Sequence, residues 1–262
     1  ITGLVGDRSG VSGARLAVHG KQIVVRARRG VLLATGGYAH NKELRNSFMP
    51  QPVPRHSMSF AENSGDGMNL GRQIGARIAP EEHGNSGLWT PVSITKRPGG
   101  SEGLYPHLVL DRAKPGLIAV NSAGRRFVNE ATSYHDFAEA MLERHGDVSS
   151  IPAYLICDTP FIEKYGLGLV YPGASNLSHL LRAGYLLRGN TLDELAGKIS
   201  VDAVELRKTV ARHNRFAETG VDDDFGKGET ELNRFNGDAE HRPNPCIGKL
   251  ETAPYYALAV WP

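Results

Sequence analysis

Short runs of hydrophobic residues, some alternating with polar ones, open the chain. They cover residues 1–5, 14–18 and 22–27, and turns that contain Gly, Ser or Asp separate them. A fourth run, at residues 31–34, is apolar throughout. Such a run is typical of a strand that is buried on both faces within a parallel sheet. The pattern therefore predicts a β-meander followed by one parallel-sheet strand.

After residue 67, stretches with apolar residues at helical spacing alternate with stretches typical of strands. Apolar residues at helical spacing after residue 67 predict a helix that begins at a Ser-Gly-Asp-Gly turn. Residues 84–116 are rich in Gly and Pro and predict a long connection at a domain boundary. Three further helices are predicted: one at 136–144, one that follows the Thr191–Glu194 capping box, and one that begins at Ser200. Strands are predicted at 116–120, 153–157 and 255–260.

Composition and charge exclude several classes of protein. Of the 262 residues, 40% are hydrophobic and 22% are charged, which allows a globular core. A formal net charge of +2 gives no electrostatic basis for binding nucleic acid or anionic lipid. No apolar run reaches the roughly 18–20 residues of a membrane span. The 2 cysteines and 10 histidines show neither a disulfide framework nor a metal-binding spacing, so no metal site is predicted.

Two glycine-rich turns are candidates for contact with a bound group. Gly36 and Gly37 follow the apolar run at 31–34, and paired glycines let backbone pass close to a ligand, although an ordinary tight turn has the same pattern. The turn at 64–67 lies at a predicted helix N-terminus, where free N–H groups and the helix dipole favour an anion. There Asp66 either accepts a hydrogen bond from a cofactor or only caps the helix.

A third candidate is a cluster of polar residues between positions 129 and 136. Tyr134, His135 and Asp136 can each transfer protons when their pKa values are suitably tuned. The ordinary alternative is that Tyr134 packs in a core or an interface and that His135 faces solvent. The residues alone leave both interpretations open. No Gly-x-Ser-x-Gly elbow and no Gly-x-Gly-x-x-Gly motif after a first strand accompany them.

Five stretches carry more information together than any of them does alone. They are Ala34-Thr35-Gly36-Gly37-Tyr38, Asn63-Ser64-Gly65-Asp66-Gly67, Arg126-Phe127-Val128-Asn129-Glu130, the segment 222–228 with Gly237-Asp238, and Pro254-Tyr255-Tyr256-Ala257. In this order they resemble the flavoprotein family of fumarate reductase and succinate dehydrogenase, and most closely its 3-ketosteroid dehydrogenase branch. The resemblance covers nearly the whole chain.

The resemblance implies an α/β and α+β architecture. A partial Rossmann-like FAD-binding domain is expected at residues 1–110, an inserted α+β capping and substrate domain at 111–250, and a return strand to the FAD-binding domain at 251–262. The family's Gly-x-Gly-x-x-Gly unit is expected before Ile1 and its last Gly-rich stretch after Pro262. The chain is therefore predicted to be a middle fragment that retains FAD weakly or not at all.

The resemblance also implies the cofactor-binding residues and a catalytic residue. The residues expected along FAD are Gly36, Gly37, Ser64, Gly65, Asp66 and Gly67. Fumarate reductases carry a catalytic arginine where this chain has Tyr134, and an ungapped alignment places Leu110 and Ala113 at their upstream Glu and Arg, with Arg112 available only after a shift. Ketosteroid dehydrogenases carry a tyrosine there, which resembles a general base beside the steroid.

The resulting hypothesis is an FAD-dependent dehydrogenase of a 3-ketosteroid or a similar cyclic ketone. A fumarate reductase or succinate dehydrogenase acting on a carboxylic acid is the first alternative, and a binding domain without catalysis is the second. The expected partners are a small apolar substrate and an unidentified electron acceptor, with no nucleic acid and no membrane span. The expected location is cytoplasmic, with peripheral contact to a membrane left open by the apolar substrate.

Overall fold

The computed structural model describes residues 1–7, 9–79, 87–108 and 110–262. The chain divides into two compact units, Ile1–Gly87 and Leu88–Pro262. We refer to them as unit 1 and unit 2.

Unit 1 opens with an antiparallel three-stranded meander in the order β1-β2-β3, as the sequence predicts. Two short helices follow the meander, and α2 begins at the predicted Ser-Gly-Asp-Gly turn. Its elements are β1 (Gly3–Asp7), β2 (Gly10–Val18), β3 (Lys21–Arg26), α1 (Lys42–Phe48) and α2 (Asp66–Gln73).

The predicted parallel-sheet strand at residues 31–34 is wrong. This segment has no strand conformation, and Leu32 is 89% exposed. A strand of a parallel sheet exists only where flanking strands accept and donate its backbone hydrogen bonds. Every strand pair in the described part of the chain is antiparallel, and none includes this segment. Apolar character alone therefore did not make a strand here.

Unit 2 is built around an antiparallel sheet of four strands in the order β6-β7-β9-β8. Its elements are β4 (Val92–Lys96), β5 (Glu102–Pro106), β6 (Leu117–Val120), α3 (Tyr134–Glu143), β7 (Ala153–Cys157), α4 (Thr159–Tyr165), α5 (Ser178–Arg182), β8 (Leu187–Gly189), α6 (Leu192–Ile199), α7 (Ala203–Thr219), α8 (Glu231–Asn236) and β9 (Tyr255–Val260). The chain as a whole is thus a mixed α/β structure with several sheets.

The long connection predicted at 84–116 is also wrong for residues 92–106. Strands β4 and β5 form an antiparallel hairpin there, and Gly99 and Gly100 at its turn have φ of +92° and +85°. Positive φ is a conformation that glycine adopts without steric cost, so the glycines that suggested a loop instead close a hairpin. Residues 84–86 and 109 of that prediction lie outside the described residues.

Helices cover both faces of the four-stranded sheet. On one face Leu155 and Leu258 pack with Phe137 and Met141 of α3. The residue after Leu155, Ile156, points to the other face, where it packs with residues of α6 and α7 such as Leu195 and Leu206. Successive residues of a strand alternate between faces, so a continuous apolar strand serves two cores at once. This explains why β6 and β7 are apolar along their whole length.

A network of buried charges ties β6 to a segment about 100 residues later in the sequence. Arg126 donates to both carboxylate oxygens of Glu130 at 2.8 Å and to those of Asp222 at 2.9 and 2.7 Å. The Lys227 ammonium lies 3.4 Å from Glu130 and donates to the carbonyl of Leu117 at 2.7 Å. Glu130 also accepts the Ala119 N–H at 3.0 Å. We call these four side chains, Arg126, Glu130, Asp222 and Lys227, the ion network.

Burial alone would raise the pKa of the Glu130 carboxyl, but Arg126 and Lys227 outweigh it and hold that pKa well below its usual range. The carboxylate therefore stays ionised throughout the physiological range. A buried charge with full compensation is tolerated, whereas one whose partner is removed is costly.

The first testable change is Glu130→Gln. It leaves Arg126 and Lys227 buried with less negative charge around them, and we expect the free energy of unfolding to fall by about 3–5 kcal/mol in urea titration. Asp193→Asn is the matched control, because it removes an exposed ion pair with Arg207 and should cost no more than about 1 kcal/mol. Equal losses in the two variants would contradict the role of the ion network.

His213, beside the ion network, provides a second test. Its Nε2–H donates to the Gly248 carbonyl at 3.0 Å, while its Nδ1 is buried without a hydrogen-bond partner among the described residues. Burial and the cations Lys227 and Arg126 lower the pKa of His213 to about 3. The unfolded chain takes up this proton near pH 6.5, so stability is complete above that pH and is lost as the pH falls from 6.5 toward 3.

We expect the free energy of unfolding to fall by about 1.4 kcal/mol for each pH unit below 6.5 because of this residue alone. In His213→Gln the slope between pH 6.5 and 5 should decrease by that amount. This window lies above the range in which Glu130 titrates, so the carboxylates do not obscure the comparison. An unchanged slope in the variant would show that His213 is protonated in the folded protein.

Candidate functional site

The two glycine-rich turns of unit 1 lie against each other. The Gly65 N–H donates to the Gly37 carbonyl at 3.0 Å, and the Asn41 side chain donates to the Ser64 carbonyl at 2.8 Å. Asn41 also caps α1, since its side-chain oxygen accepts the Leu44 N–H. The structure thus brings the sequence-predicted residues Gly36 and Gly37 together with the Ser-Gly-Asp-Gly turn at 64–67.

Close backbone approach explains why glycine occupies these positions. A Cβ on Gly36 would lie 2.3 Å from Asn63 Oδ1, and one on Gly67 would lie 2.6 Å from Thr35 Oγ1. Gly36 also has a φ of +79°, which residues with a Cβ rarely adopt. At Gly37, in contrast, a Cβ would meet no atom within 4 Å. That side of the turn is open to an approaching group.

Asp66 does not cap its helix. The N-cap of α2 is Gly65, which makes no side-chain capping bond, and Asp66 is the first helical residue. Its exposed carboxylate accepts a hydrogen bond from Ser64 Oγ at 2.7 Å. Of the two interpretations that the sequence allowed, the capping one is therefore wrong, and the carboxylate remains available as an acceptor.

These features fit a bound FAD. The Thr35 hydroxyl is buried without a hydrogen-bond partner among the described residues, directly beside Gly67. A buried hydroxyl without a partner is unfavourable, and a ligand that hydrogen-bonds to it removes the penalty. Gly37 offers open backbone close by, and the exposed Asp66 carboxylate at the start of α2 can accept a hydrogen bond from a hydroxyl or N–H group of the cofactor.

Tyr134 lies in unit 2 as the first residue of α3 and is half-buried. The helix begins two residues earlier than predicted, because Ser133 acts as N-cap and accepts the Asp136 N–H at 3.1 Å. His135 is fixed as well, since its Nδ1 accepts the Trp89 N–H at 3.1 Å. Tyr134 is therefore presented from a capped helix terminus rather than from a loop.

Arg112 and Arg126, the two arginines considered for a carboxylate site, are fully engaged. Arg112 is completely buried and donates to four backbone carbonyls, and Arg126 is held by Glu130 and Asp222. Neither presents a free guanidinium to a ligand. A site for a dicarboxylate needs fixed cations that can reach the substrate, and these two residues do not provide them.

A cavity of about 330 Å³ lies in unit 2. Its walls are mostly apolar or aromatic, and Asp111 is the charged residue among them. The lining residues are Tyr105, Pro106, Leu108, Leu110, Asp111, Tyr165, Gly166, Leu167, Gly168, Val170, Tyr171 and Pro172. Burial and a hydrogen bond to Asp238 raise the pKa of Tyr165 to about 12, so this phenol remains protonated. Such walls suit a neutral, flat ligand.

Behind this cavity runs a buried polar chain that sequence reasoning missed. Tyr185 OH and Ser93 Oγ are 2.7 Å apart, Ser93 Oγ and His107 Nε2 are 2.8 Å apart, and His107 Nδ1 lies 2.6 Å from Asp111 Oδ2. Burial acts to raise the pKa of Asp111, but His107 and Arg112 hold it below the usual value. Only the four-residue spacing of His107 and Asp111 was visible in the sequence. Tyr185 and Ser93 lie too far away along the chain to be associated with them.

The described residues contain neither a candidate membrane span nor a candidate metal centre. In residues 1–7, 9–79, 87–108 and 110–262, no helix is long and apolar enough to cross a membrane. Across the same residues, no group of three or more His, Cys, Asp or Glu side chains is placed to hold a metal ion.

Comparison with known proteins gives consistent matches. The chain is 40% identical over 261 residues to a 4-oxocyclohex-2-ene-1-carboxylate 5-dehydrogenase from Sinomonas cyclohexanicum, covering 97% of this chain and 43% of that protein. It is 33% identical over 246 residues to a 3-oxosteroid 1-dehydrogenase from Mycobacterium tuberculosis, covering 91% of this chain and 42% of the relative. The chain thus spans less than half the length of the curated relatives it matches.

The fold matches a solved structure equally well. The crystal structure of 3-ketosteroid delta1-dehydrogenase from Sterolibacterium denitrificans, in complex with 1,4-androstadiene-3,17-dione, superposes with a TM-score of 0.84 at 33% identity. The superposition covers 98% of this chain and 46% of that protein. The FAD binding domain family matches residues 1–262, which is the entire chain. This chain therefore belongs to the FAD binding domain family, and its glycine-rich turns fit the cofactor for which the family is named.

Proposed function

We propose that the protein containing this chain is an FAD-dependent dehydrogenase that acts on a cyclic ketone, such as a 3-ketosteroid. It removes a proton from the ring carbon next to the carbonyl and a hydride from the carbon beyond it, which leaves a double bond between the two. The names of the two relatives support a common reaction. One acts at position 5 of a 4-oxo ring, and the other at position 1 of a 3-oxosteroid. In each name the numbered position is either next to the ketone carbon or one carbon beyond that neighbour.

The proposal rests on two features of unit 2, the residue at position 134 and the side chains that line the cavity. Tyr134 stands where the resemblance places a cationic residue in fumarate reductases, and the cavity of unit 2 has aromatic and aliphatic walls. The guanidinium groups of Arg112 and Arg126 are both hydrogen-bonded within the protein. A cyclic ketone needs no pair of fixed cations around it, whereas a dicarboxylate does. These facts favour the ketone over the carboxylic acid.

In the proposed reaction Tyr134 takes the proton from the carbon next to the carbonyl. A carbon acid of this kind needs a base positioned within hydrogen-bonding reach, and the capped start of α3 fixes the backbone of Tyr134. Gly36, Gly37, Ser64, Gly65, Asp66 and Gly67 would hold FAD, which supplies the hydride acceptor when bound.

The domain assignment remains part of this proposal. Residues 1–110 would contribute to the FAD-binding domain, 111–250 would form the capping and substrate domain, and 251–262 would return to the first. A separate electron acceptor, not yet identified, would reoxidise the flavin.

Tyr134→Phe tests the catalytic assignment. The change removes the phenolic oxygen and keeps the ring, so we expect kcat for a 3-ketosteroid to fall by about 10²–10⁴-fold in the FAD-loaded protein. Flavin content, read from the visible absorbance, should stay the same. Tyr154→Phe on β7 is the matched control and should retain turnover. Turnover of Tyr134→Phe within a few-fold of the native protein would remove Tyr134 from the mechanism.

A substrate comparison tests the reaction class. With an artificial electron acceptor, we expect kcat/KM to be at least about 100-fold higher for a 3-ketosteroid or 4-oxocyclohexanecarboxylate than for succinate. The reason is that Arg112 and Arg126 are engaged within the protein and cannot pair with the two carboxylates of succinate. Efficient oxidation of succinate, or reduction of fumarate by the reduced flavoprotein, would favour the fumarate reductase alternative instead.

A further inference from the structure

Arg112 occupies a central place between the wall of the cavity and the segment that carries Tyr134. It follows β5 by six residues and is completely buried, although it is the largest of the fully buried side chains. An arginine in such a position is unusual, because a buried charge needs close polar partners to offset its desolvation. All its partners can be identified.

On one side Arg112 holds the backbone of the cavity wall. Its Nε–H donates to the His107 carbonyl at 2.9 Å, and its Nη2 donates to the Leu108 carbonyl. Leu108 lines the cavity, and so does Asp111, whose Oδ1 accepts the backbone N–H of Arg112 at 2.9 Å. The guanidinium is thus locked to the loop between β5 and β6.

On the other side Arg112 holds the chain immediately before Tyr134. Its Nη1 donates to the Glu130 carbonyl at 2.6 Å, and both Nη atoms reach the Thr132 carbonyl, at 3.4 and 3.3 Å. The guanidinium carbon also lies 4.5 Å above the centroid of the Phe137 ring, one turn into α3. These contacts bracket Tyr134, with Thr132 before it and Phe137 after it.

The planar guanidinium is suited to this task. It has five N–H donors in a fixed fork, so a single side chain can hold several carbonyls in one geometry and still stack on a ring. Burial lowers the pKa of Arg112 to about 10, which leaves the group protonated at neutral pH. A lysine at this position would keep the charge but could not satisfy both sides at once.

We propose that Arg112 is a positioning residue for Tyr134, which fixes the start of α3 relative to the wall of the cavity. This inference rests on the proposed function, since it assigns a task to Arg112 only if Tyr134 acts in the reaction. Arg112, which matches the upstream arginine of the fumarate reductases only after a shift in the alignment, would then serve to hold backbone carbonyls. Displacing a reacting group by about 1 Å can cost on the order of 100-fold in rate.

The test is a double-mutant cycle between Arg112→Lys and Tyr134→Phe in the FAD-loaded native protein that contains this chain. We expect Arg112→Lys alone to lower kcat for a 3-ketosteroid by about 10–100-fold, with KM changed by less than about threefold. In the Tyr134→Phe background the same substitution should change kcat by less than about threefold, because the group that Arg112 positions is already missing.

A second readout does not depend on turnover. Amide hydrogen exchange at residues 132–137 should become at least about tenfold faster in Arg112→Lys, while exchange in α7 stays unchanged. Arg144→Lys, on an exposed arginine that ends α3, is the matched control and should change neither kcat nor exchange at 132–137. If Arg112→Lys fails to fold, Phe137→Leu removes the stacked ring and should give a smaller loss of kcat that also disappears in the Tyr134→Phe background.

The outcomes separate the two proposals. Equal losses of kcat in both backgrounds would show that Arg112 acts on the enzyme in general, and would overturn the inference while leaving the proposed function in place. Native turnover in Arg112→Lys would overturn it too. Native turnover in Tyr134→Phe would overturn the proposed function, and the positioning role with it.

Discussion

The buried ion network is the constraint on which unit 2 depends. Arg126 can be buried because Glu130 and Asp222 together satisfy its guanidinium, and Glu130 can be buried because Lys227 and the Ala119 N–H share it. Each charge is tolerated only while the others are in place. The network therefore fixes the segment around Asp222 against β6, and it sets the direction in which the chain leaves Glu130 toward α3. Placement of Tyr134 follows from this.

A second buried arginine, Arg112, holds the stretch of chain that leads from Glu130 to α3. The ion network holds the side chain of Glu130, and Arg112 holds its carbonyl together with that of Thr132. Both devices use arginine, whose planar fork can bind several oxygen atoms without leaving a donor unsatisfied. As a result, Arg112 and Arg126 stabilise the fold and are not available to bind a substrate carboxylate. Aromatic and aliphatic side chains are left to line the cavity of unit 2.

Local signals predicted part of this structure well. The meander needed only alternating residues and turns. Thr191 caps its helix as predicted, with its Oγ1 accepting the Glu194 N–H at 3.1 Å, whereas the Glu194 carboxylate accepts the Asn190 N–H at 2.8 Å. The helix expected from Ser200 begins instead at Ala203, because Asp202 is its N-cap and Ser200 ends α6 with a φ of +57°. The strand predicted at 31–34 failed for a different reason, since a strand needs partners and a run of apolar residues does not supply them. The glycines at 99 and 100 favour a loop in the sequence pattern, yet they close the β4–β5 hairpin.

The sequence by itself determined the family, since the glycine-rich turns and the Arg126–Glu130 stretch can be recognised without coordinates, and it identified Tyr134 as the candidate base. The tertiary structure alone decided which polar side chains belong together. Ser93 and Tyr185 are 92 residues apart, yet their oxygens are 2.7 Å apart, and Arg126 meets Asp222 across 96 residues. No pattern along the chain marks such pairs, because they arise only when sheets and helices pack. The physical reason is that a buried polar group must find a partner wherever the fold brings one close.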